Sequence, residues 1–415
     1  MAHLLIIELP GDNDYDILQA AIDRGDDFTF LCADLGRYRK QTDVSLMLDY
    51  AREIIEVRPF DYMEVQRRVL AIDNVHGFDA VICLIDARQR EAARLALLLG
   101  LPHLNVMTVD LLRNRFQLRQ RLARHGIAQA DFALATCAET LRDAVARLAF
   151  PVRIRPLDAY DASTVRILRT GADLAVLLAP LTAWHADNDT LSVDIAARRP
   201  MLVERCLSGS YLGCDTFSVQ GCHTLLGVHE HHMFAPPSLA IRGGTFTPNQ
   251  GQFTALEQYA FAVLEALDFD CGAAHLEIIL GVNGPHLLDL NPRLVGSRLP
   301  RLVGRSLGRS VHADLIALHT GEQPTHPGRA LSVPQVGVTR WLAADHLGVL
   351  DRVDLPLWDD PRVRCVDILK HPGDLVGPPF DNADRLGYLV TCAPTALEAE
   401  SIADRFVADS RVHLR

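Results

Sequence analysis

One short stretch of the chain concentrates side chains that could bind a metal ion. Glu277 lies in an apolar run, and Asp289 and Asn291 lie in the next one. The Asn283-Gly284 pair between the runs is typical of a β-hairpin turn, and side chains alternate along a strand, so Asp289 and Asn291 share a face. Two carboxylates and an amide oxygen suit Mg²⁺, which usually keeps positions for substrate phosphates. The stretch therefore predicts a site for Mg²⁺, with Mn²⁺ as the alternative ion, and for a nucleoside triphosphate.

The register of this hairpin decides which side chains meet. A two-residue turn would place Glu277 opposite Leu290, whereas a three-residue loop over 282–284 places it opposite Asp289. We expect the second register, which brings the two carboxylates together. Arg293 would then point into the same site, where a guanidinium can stabilise charge on a phosphoryl group or hold a carboxylate.

The composition excludes several classes of protein. The chain has 415 residues, of which 49% are hydrophobic and 22% are charged, and these values are typical of a globular protein with two or three domains. Its formal net charge of −11 argues against a nucleic-acid partner, because such binding depends on Lys and Arg. Lys40 and Lys370 are its only lysines, and neither follows a glycine-rich loop, which excludes a lysine-based Walker A site.

The cysteines and the N-terminus predict the compartment. The nine cysteines are scattered without a C-x-x-C pair, which indicates buried thiols in a reducing environment. The N-terminus lacks the basic region of a signal peptide, and no stretch reaches the ~20 apolar residues of a membrane helix. We therefore expect a soluble cytoplasmic protein without a membrane partner.

Helices and strands alternate in the part of the chain that precedes the hairpin. Over the first ~110 residues, short apolar runs alternate with helical segments, which predicts a parallel sheet with crossover helices. We expect one helix over 109–125, alternating strands over 201–232 and a last helix over 396–408. The segment 298–308 is expected to lie over the metal hairpin as a loop or helix.

Four consecutive polar residues, His229-Glu230-His231-His232, are a second candidate for metal binding. If they continue a strand, His229 and His231 share one face, and Glu230 and His232 share the other. The four side chains could then not ligate one ion without a bend in the chain.

Taken together, these motifs resemble the ATP-grasp superfamily, which includes biotin carboxylase and carbamoyl-phosphate synthetase. Its hallmark is an acidic strand residue followed about a dozen residues later by E-x-N-P-R, and here Glu277 precedes Asp289-Leu290-Asn291-Pro292-Arg293. Three further segments, 114–116, 151–156 and 202–205, resemble other parts of the ATP-grasp pattern. The segments 291–297, 307–314 and 320–321 resemble the carboxylate–amine ligase branch, especially L-amino-acid ligases of the bacilysin-synthetase type.

The resemblance implies an ATP-grasp fold of the α/β and α+β classes. It implies a Rossmann-like N-terminal α/β domain over 1–110 and a small ATP-grasp subdomain with a phosphate-covering loop over 111–200. A large subdomain with the Mg/ATP hairpin would follow over 201–325, and a C-terminal subdomain over 326–415.

The activity implied by the resemblance is ATP-dependent ligation. A carboxylate, from an amino acid or a small polar acid, would be joined to an amine through an acyl phosphate, with release of ADP and phosphate, in the synthesis of a dipeptide, a siderophore or a similar metabolite. The implied partners are these small molecules, without nucleic acid or membrane, and a homodimer is left open. One alternative is a weakened ATP-grasp protein that binds nucleotide or regulates. The other is a serine hydrolase that uses Ser306 in a G-x-S-x-G motif.

The resemblance also assigns roles to residues. The implied Mg²⁺ ligands are Glu277, Asp289 and Asn291, with Asp289 in place of the usual Glu. The implied catalytic residues are Arg293 and Arg298. The implied nucleotide contacts are Arg115, Arg155, Ser163, Glu204, Arg205, Leu207 and Asp215. The implied substrate contacts are His231, His232, Arg242 and Ser297.

One loop and three single positions depart from the family pattern. The phosphate-covering loop, here 158–164, has no glycine for a close backbone approach to phosphate, and it carries two carboxylates that would repel phosphate. Tyr211 stands where many relatives have a Glu that holds the ribose. The arginines at 115 and 155 stand where the family usually has lysine.

Overall fold

The chain begins with a sheet in which every strand runs parallel. We describe a computed structural model that covers residues 1–10, 15–157, 165–178, 199–235, 238, 240–296, 298–322, 334–380 and 382–415. The strands are β1 (His3–Ile7), β2 (Asp27–Cys32), β3 (Glu53–Glu56) and β4 (Ala80–Cys83). They pair in the order β3-β2-β1-β4, which confirms the predicted parallel sheet. Its helices are α1 (Asp16–Arg24), α2 (Leu35–Arg39), α3 (Thr42–Leu48), α4 (Tyr62–His76) and α5 (Gln89–Leu99).

Two helices, and not one, lead out of this domain. The prediction of one continuous helix over 109–125 is wrong, because two helices, α6 (Val106–Arg113) and α7 (Arg115–Arg124), are separated at Asn114. Asn114 has φ −102° and ψ 89°, outside the helical region, and its side chain accepts a hydrogen bond from the backbone N–H of Gln117 at 3.1 Å. A side chain that caps the second helix thus ends the first, and α7 begins at Arg115.

A small antiparallel sheet follows. Its strands are β5 (Phe132–Ala135), β6 (Val152–Pro156), β7 (Arg166–Leu168) and β8 (Met201–Arg205), and they pair in the order β5-β8-β6-β7. Two helices accompany the sheet, α8 (Ala138–Leu148) and α9 (Gly171–Leu177). Leu141, Val145 and Leu148 of α8 pack against Ile154 and Val203 in the core of this unit. The loop 158–164 lies outside the described residues.

The central element is an eight-stranded sheet. Its strands in chain order are β9 (Ser210–Val219), β10 (Cys222–Met233), β11 (Ile241–Pro248), β12 (Gly272–Gly281), β13 (Gly284–Asn291), β14 (Val336–Leu342), β16 (Val363–Ile368) and β18 (Gly387–Ala393). They pair in the order β13-β12-β9-β10-β11-β14-β18-β16. Leu276 and Ile278 on one face pack against α10 (Thr254–Ala266) through Val263 and Leu264. The pairing of β11 with β14 joins the C-terminal part of the chain to the same sheet.

Three more strands and helices complete the described chain. The strands β15 (Gly348–Asp354), β17 (Leu375–Val376) and β19 (Arg411–Leu414) form a separate three-stranded sheet, and the helices are α11 (Leu299–Leu307), α12 (Val311–His319) and α13 (Ala396–Asp409). Helix α13 confirms the predicted terminal helix. Among the described residues, no helix combines the length and the apolar character needed to cross a membrane.

The segment 298–308 does not lie where the sequence predicted. The predicted helix is present as α11, but it packs mainly against β11 and β14 of the large sheet. Ser306 is fully buried within this helix, without a preceding strand. A nucleophile elbow requires a strand, a sharp turn and an exposed serine, so the serine-hydrolase alternative is wrong.

The cysteines only partly match the expectation of buried thiols. All nine are free, and four of them, Cys32, Cys83, Cys214 and Cys392, are buried. Cys222 is exposed, and the others are partly buried.

Candidate active site

The hairpin of β12 and β13 brings the predicted metal-binding side chains together. Glu277 lies opposite Asp289, and His275 lies opposite Asn291. Residues directly opposite each other in a sheet have side chains on the same face. The register predicted for Glu277 and Asp289 is therefore confirmed, and Asn291 shares their face.

The reason for this register differs from the predicted one. Gly281 pairs with Gly284, so the turn between the strands contains two residues and not three. The pairing then shifts at a bulge between Glu277 and Ile278, where the partner strand contributes Leu288 as an extra residue. A bulge of one residue moves the following side chains to the other face, and this shift places Asp289 opposite Glu277.

Asp289 is surrounded by guanidinium groups. Its Oδ2 accepts a hydrogen bond from Nη1 of Arg155 at 2.8 Å and from Nη2 of Arg115 at 3.2 Å. Burial acts to raise the pKa of Asp289, but Arg155 and then Arg115 outweigh burial and hold the pKa below 3.8. The carboxylate is thus ionised at neutral pH. It bonds to the two arginines that the resemblance assigned to the nucleotide.

Glu204 at the end of β8 binds three arginines. Its Oε1 accepts from Nε of Arg119 at 2.8 Å, and its Oε2 accepts from Nη2 of Arg153 at 2.7 Å and from Nε of Arg155 at 3.2 Å. Glu204 is 1% exposed, and although burial acts to raise its pKa, Arg153, Arg155 and Arg119 hold that pKa below 4.5. Arginines thus bind both carboxylate oxygens of Glu204, which the resemblance had assigned to the nucleotide.

The same arginines meet the hairpin at its bulge. The carbonyl oxygen of Leu288 accepts hydrogen bonds from Arg119 at 2.8 Å and from Arg153 and Arg155 at 3.1 Å each. Arg119 also donates to the carbonyl of Leu287 at 2.9 Å. The guanidinium groups therefore connect the small sheet, helix α7 and the metal hairpin.

A buried carboxylate joins two histidines on the polar face of the large sheet. Asp215 lies opposite His275 on β12. Its Oδ1 is 2.8 Å from Nδ1 of His275, and its Oδ2 is 2.6 Å from Nε2 of His229. Burial acts to raise the pKa of Asp215, but His229 and His275 lower it below 3.8. Both carboxylate oxygens of Asp215 thus bond to histidines, although the resemblance assigned Asp215 to the nucleotide.

His231 lies next to this group. Its ring stacks parallel to that of His229, with the centroids 5.8 Å apart, and lies 4.6 Å from the ring of Tyr211. Its Nε2 is buried without a hydrogen-bond partner among the described residues. Burial, followed by His229 and His275, holds the pKa of His231 well below 6.5, so the ring is neutral at pH 7.

A cavity of about 300 Å³ lies between the hairpin and the histidines of β10. The hairpin contributes Glu277, Asn291 and the following Arg293 to its lining, and β10 contributes His229 and His231. The sheet and C-terminal part of the chain also contribute Thr339, Trp341, Asn382 and Arg385. Sequence reasoning missed these last residues, because they are far from the hairpin in the chain and belong to no motif.

Tyr211 borders the cavity, as Glu277 does. Burial, followed by the charge of Glu277, raises the pKa of Tyr211 well above 10. The phenol therefore stays protonated and can donate to the carboxylate.

The two candidate catalytic arginines differ in position. Arg293 lines the cavity, and its Nε and Nη2 donate to Oδ2 of Asp86 at 2.9 and 2.7 Å. Arg298 forms an ion pair with Asp367 at 2.7 Å and is not among the described residues that line the cavity.

Four of the remaining predicted contacts lie outside the cavity. His232 and Arg242 do not line it within the described chain, because strand alternation separates His232 from His231 and because Arg242 is exposed. Arg205 is exposed and donates to the carbonyl of Leu148 at 3.1 Å. Leu207 is partly buried in the segment between β8 and β9. The candidates Ser163 and Ser297 are not among the described residues.

The hairpin has the donor set for a divalent cation. Glu277, Asp289 and Asn291 present two carboxylates and an amide on one face, and Asp289 is ionised. Among the described residues, no three His, Cys, Asp or Glu side chains form a metal site. A magnesium ion at the hairpin would therefore take further oxygens from a ligand such as a nucleotide, as Mg²⁺ commonly does.

Comparisons with known proteins agree with this architecture. A family model described as "L-amino acid ligase C-terminal domain 2" matches residues 340–415. The uncharacterised protein y4rH of Sinorhizobium fredii is 26% identical over 320 residues, which cover 74% of this chain and 62% of that protein. Dapdiamide A synthase of Enterobacter agglomerans is 24% identical over 201 residues, which cover 48% of this chain and 46% of that enzyme. The chain thus matches only about half to three-fifths of the length of these relatives.

A solved structure matches along the whole chain. The L-amino acid ligase from Bacillus licheniformis superposes with a TM-score of 0.79 at 16% identity, and the match covers 100% of this chain and 99% of that one. The predicted fold is therefore confirmed: the chain has the ATP-grasp fold, and among proteins with that fold it resembles the L-amino acid ligases.

Proposed function

We propose that the protein is an ATP-dependent ligase that joins a carboxylate to an amine with formation of a C–N bond. The observation that carries this proposal is the pairing of Asp289 with Glu277, which lines a cavity, while Arg115 and Arg155 bind Asp289. The names of the L-amino acid ligase and of dapdiamide A synthase support amino acids as substrates.

The nucleotide would bind between the small sheet and the hairpin. Arg115 and Arg155 are the guanidiniums that can contact its phosphates, while Glu277, Asp289 and Asn291 would hold Mg²⁺, which neutralises phosphate charge when bound. Since the carboxylate of Glu204 is engaged by arginines, the backbone at 205–207 is the part of that segment left to meet adenine.

The reaction would proceed in two displacements. A substrate carboxylate oxygen attacks the γ-phosphorus of ATP, the bond to the β-phosphate oxygen breaks, and ADP leaves. The amine then attacks the carbonyl carbon of the acyl phosphate, the C–O bond breaks, and phosphate and a proton are released. Arg293, held by Asp86, would stabilise charge on the transferred group, and exclusion of water from the cavity would limit hydrolysis of the acyl phosphate.

Of the candidate substrate contacts, we assign His231 to the substrate. The ring is neutral and lines the cavity, and its Nε2 has no protein partner within the described chain. A buried imidazole nitrogen without a partner is costly, and a substrate hydrogen bond would remove that cost.

A screen of acids against amines tests the proposal. Pairs of L-amino acids and small polar acids are incubated with Mg²⁺ and ATP, and phosphate release and the ligated product are measured. The wild-type protein should release phosphate only when both an acid and an amine are present, and Glu277→Gln should abolish the release while leaving the fold intact. The matched control is Glu230→Gln, which changes an exposed residue on the opposite face of β10.

Turnover by Glu277→Gln would contradict the assignment of the metal site. Nucleotide binding without turnover of any pair would instead favour the alternative of a binding or regulatory module.

A further inference from the structure

Histidine rings fill a space that a glycine leaves in the large sheet. Gly213 on β9 pairs with Glu277 on one side and with His229 on the other. A Cβ atom added at Gly213 would lie 2.7 Å from Cε1 of His275 and 3.1 Å from Nε2 of His231. The rings of His275 and His231 therefore meet over β9, where any other residue at this position would place its side chain.

His231 thereby comes close to the metal hairpin, although its own strand does not pair with the hairpin. His231 belongs to β10, and β9 lies between β10 and β12 in the sheet. Directly paired residues have Cβ positions ~4.5–5.5 Å apart. Because Nε2 of His231 lies 3.1 Å from the Cβ position at Gly213, it is within about 9 Å of the Cβ of Glu277. A substrate bound at the hairpin can therefore reach this nitrogen.

The orientation of the His231 ring depends on the rings around it. Its Nε2 has no hydrogen-bond partner within the described chain. The plane of the His229 ring is parallel to that of His231 to within 4°, and the ring of Tyr211 lies 4.6 Å away. A change in the position of the His229 ring would therefore be passed on to His231.

A buried carboxylate fixes the His229 ring. Oδ2 of Asp215 is 2.6 Å from Nε2 of His229, and Oδ1 is 2.8 Å from Nδ1 of His275. An ionised carboxylate only accepts hydrogen bonds, so each ring directs an N–H toward Asp215. Such a bond sets both the orientation of an imidazole and the nitrogen that carries its proton.

Asp215 has no direct access to a ligand in the cavity. It is buried and is not among the described residues that line the cavity, whereas His229, His231 and His275 are. Both of its oxygens are already bonded to histidines. Any effect of Asp215 on a bound substrate must therefore act through these rings.

We propose that Asp215 is a positioning residue for the substrate: through His229 it holds the ring of His231 so that Nε2 faces the bound molecule, and Gly213 leaves the room that this ring needs. The inference rests on the proposed ligase function, which supplies the substrate. It gives Asp215 a role in substrate binding and none in nucleotide binding.

A double-mutant cycle with a productive acid and amine pair tests the proposal. His231→Ala should raise the KM for the substrate that it contacts at least tenfold. Asp215→Asn should raise the same KM at least fivefold and leave the KM for ATP within twofold of the wild-type value. The double variant should be no worse than His231→Ala alone, because no ring then remains to be positioned.

Ser218→Ala is the matched control on the same strand. Ser218 is also buried, and its Oγ is 2.8 Å from Nδ1 of His223, which is not among the described residues that line the cavity. This variant should keep the wild-type KM values. If Asp215→Asn does not fold, His229→Phe replaces it in the cycle: it keeps an aromatic ring, breaks the bond to Asp215 and should raise the same KM.

Three kinetic results would overturn the proposal. They are effects that multiply in the double variant, a larger change in the KM for ATP than in the KM for the substrate, and an unchanged KM for the substrate in a folded Asp215→Asn protein. The first two would mean that Asp215 acts independently of His231.

A crystal structure of the Asp215→Asn variant separates this inference from the ligase function. The ring of His231 should occupy one orientation in the wild type and a different or divided orientation in the variant, whether or not any pair of substrates reacts. A protein that turns over no pair but shows this change would refute the ligase function and leave the positioning by Asp215 standing. An unchanged His231 ring in the variant would refute the positioning itself.

Discussion

Glu204 shows how one carboxylate can organise several cations. Arg119 and Glu204 are 0% and 1% exposed, and Arg155 is 4% exposed, so their charges are removed from water together. Desolvation of these ions is costly, and the ion pairs compensate for that cost only while every partner is present. Removing the carboxylate would leave buried guanidiniums without their counter-ion.

We therefore expect Glu204→Gln to lower the free energy of unfolding by ~3–5 kcal/mol at pH 7. Because Arg153, Arg155 and Arg119 hold the pKa of Glu204 below its usual 4.5 despite burial, the stabilisation is present above that pH and is lost as the pH falls below it. Denaturant unfolding at pH 7 and at pH 3.5 measures both effects. The difference between wild type and variant should shrink at the lower pH.

The control for this prediction is Glu64→Gln. Glu64 also binds two arginines, Arg67 and Arg68, but the pairs lie on an exposed helix surface, where ion pairs contribute little. A loss of stability in this variant equal to that of Glu204→Gln would show that burial is not the cause.

At the scale of elements, arginines from outside the hairpin support its bulge. The extra residue, Leu288, turns its carbonyl toward Arg119, Arg153 and Arg155. Arg119 projects from α7 one helical turn after Arg115, which binds Asp289. Two arginines on one face of α7 thus bind the bulge and the carboxylate of Asp289, which the bulge brings opposite Glu277.

Removing this support should weaken the metal hairpin. We expect Arg119→Met to raise the dissociation constant of Mg²⁺ with β,γ-methylene-ATP about tenfold or more, because the freed bulge no longer fixes Asp289 opposite Glu277. Such a loss corresponds to ~1.4 kcal/mol, close to the value of one hydrogen bond to a charged group. Calorimetric titration measures it, and Arg119→Lys should restore part of the affinity.

Arg121→Met is the matched control on the same helix. Arg121 bonds Asp268 and the carbonyl of Ala266, away from the hairpin. If the Arg119 variant is folded and binds the nucleotide as this control does, the bulge does not depend on α7.

The sequence predicted elements better than it predicted their junctions. Two local signals predicted their elements correctly. The alternation of apolar runs with helical segments predicted the parallel sheet, and the Asn283-Gly284 pair predicted the hairpin. The bulge at Leu288 is stabilised by arginines more than a hundred residues away in the chain, so the correct register was reached through the wrong loop. The helix break at Asn114 was overlooked although asparagine is a typical N-cap.

The same contrast between local signals and long-range contacts applies to the residues of the candidate site. Glu277, Asp289 and Asn291 could be predicted because one motif contains them all. Trp341 and Arg385 could not, because only the pairing of β11 with β14 brings that part of the chain to the cavity. Asp215 and Glu204 were assigned to the nucleotide from their positions, while their actual partners depend on tertiary contacts.

At the scale of the whole molecule, the cavity lies where distant parts of the chain meet. Asp86 follows β4, the edge strand of the first sheet, and binds Arg293, which follows the hairpin. Asp367 on β16 binds Arg298, five residues further on. Arg293 is therefore held by the N-terminal domain, and Arg298 is held by the C-terminal part of the chain.

The contact between Asp86 and Arg293 links the N-terminal domain to the proposed catalytic arginine. Asp86→Asn would remove the charge that orients the guanidinium, and a displaced group in an active site can reduce the rate by ~10²-fold. We expect a loss of that order in kcat with little change in the KM for ATP, because the proposed nucleotide contacts at Arg115 and Arg155 remain. Steady-state kinetics with a productive acid and amine pair measure both constants. Asp110→Asn, which alters an exposed pair with Arg90 in the same region, should match the wild type, and a kcat unchanged by Asp86→Asn would mean that Arg293 does not need the N-terminal domain to act.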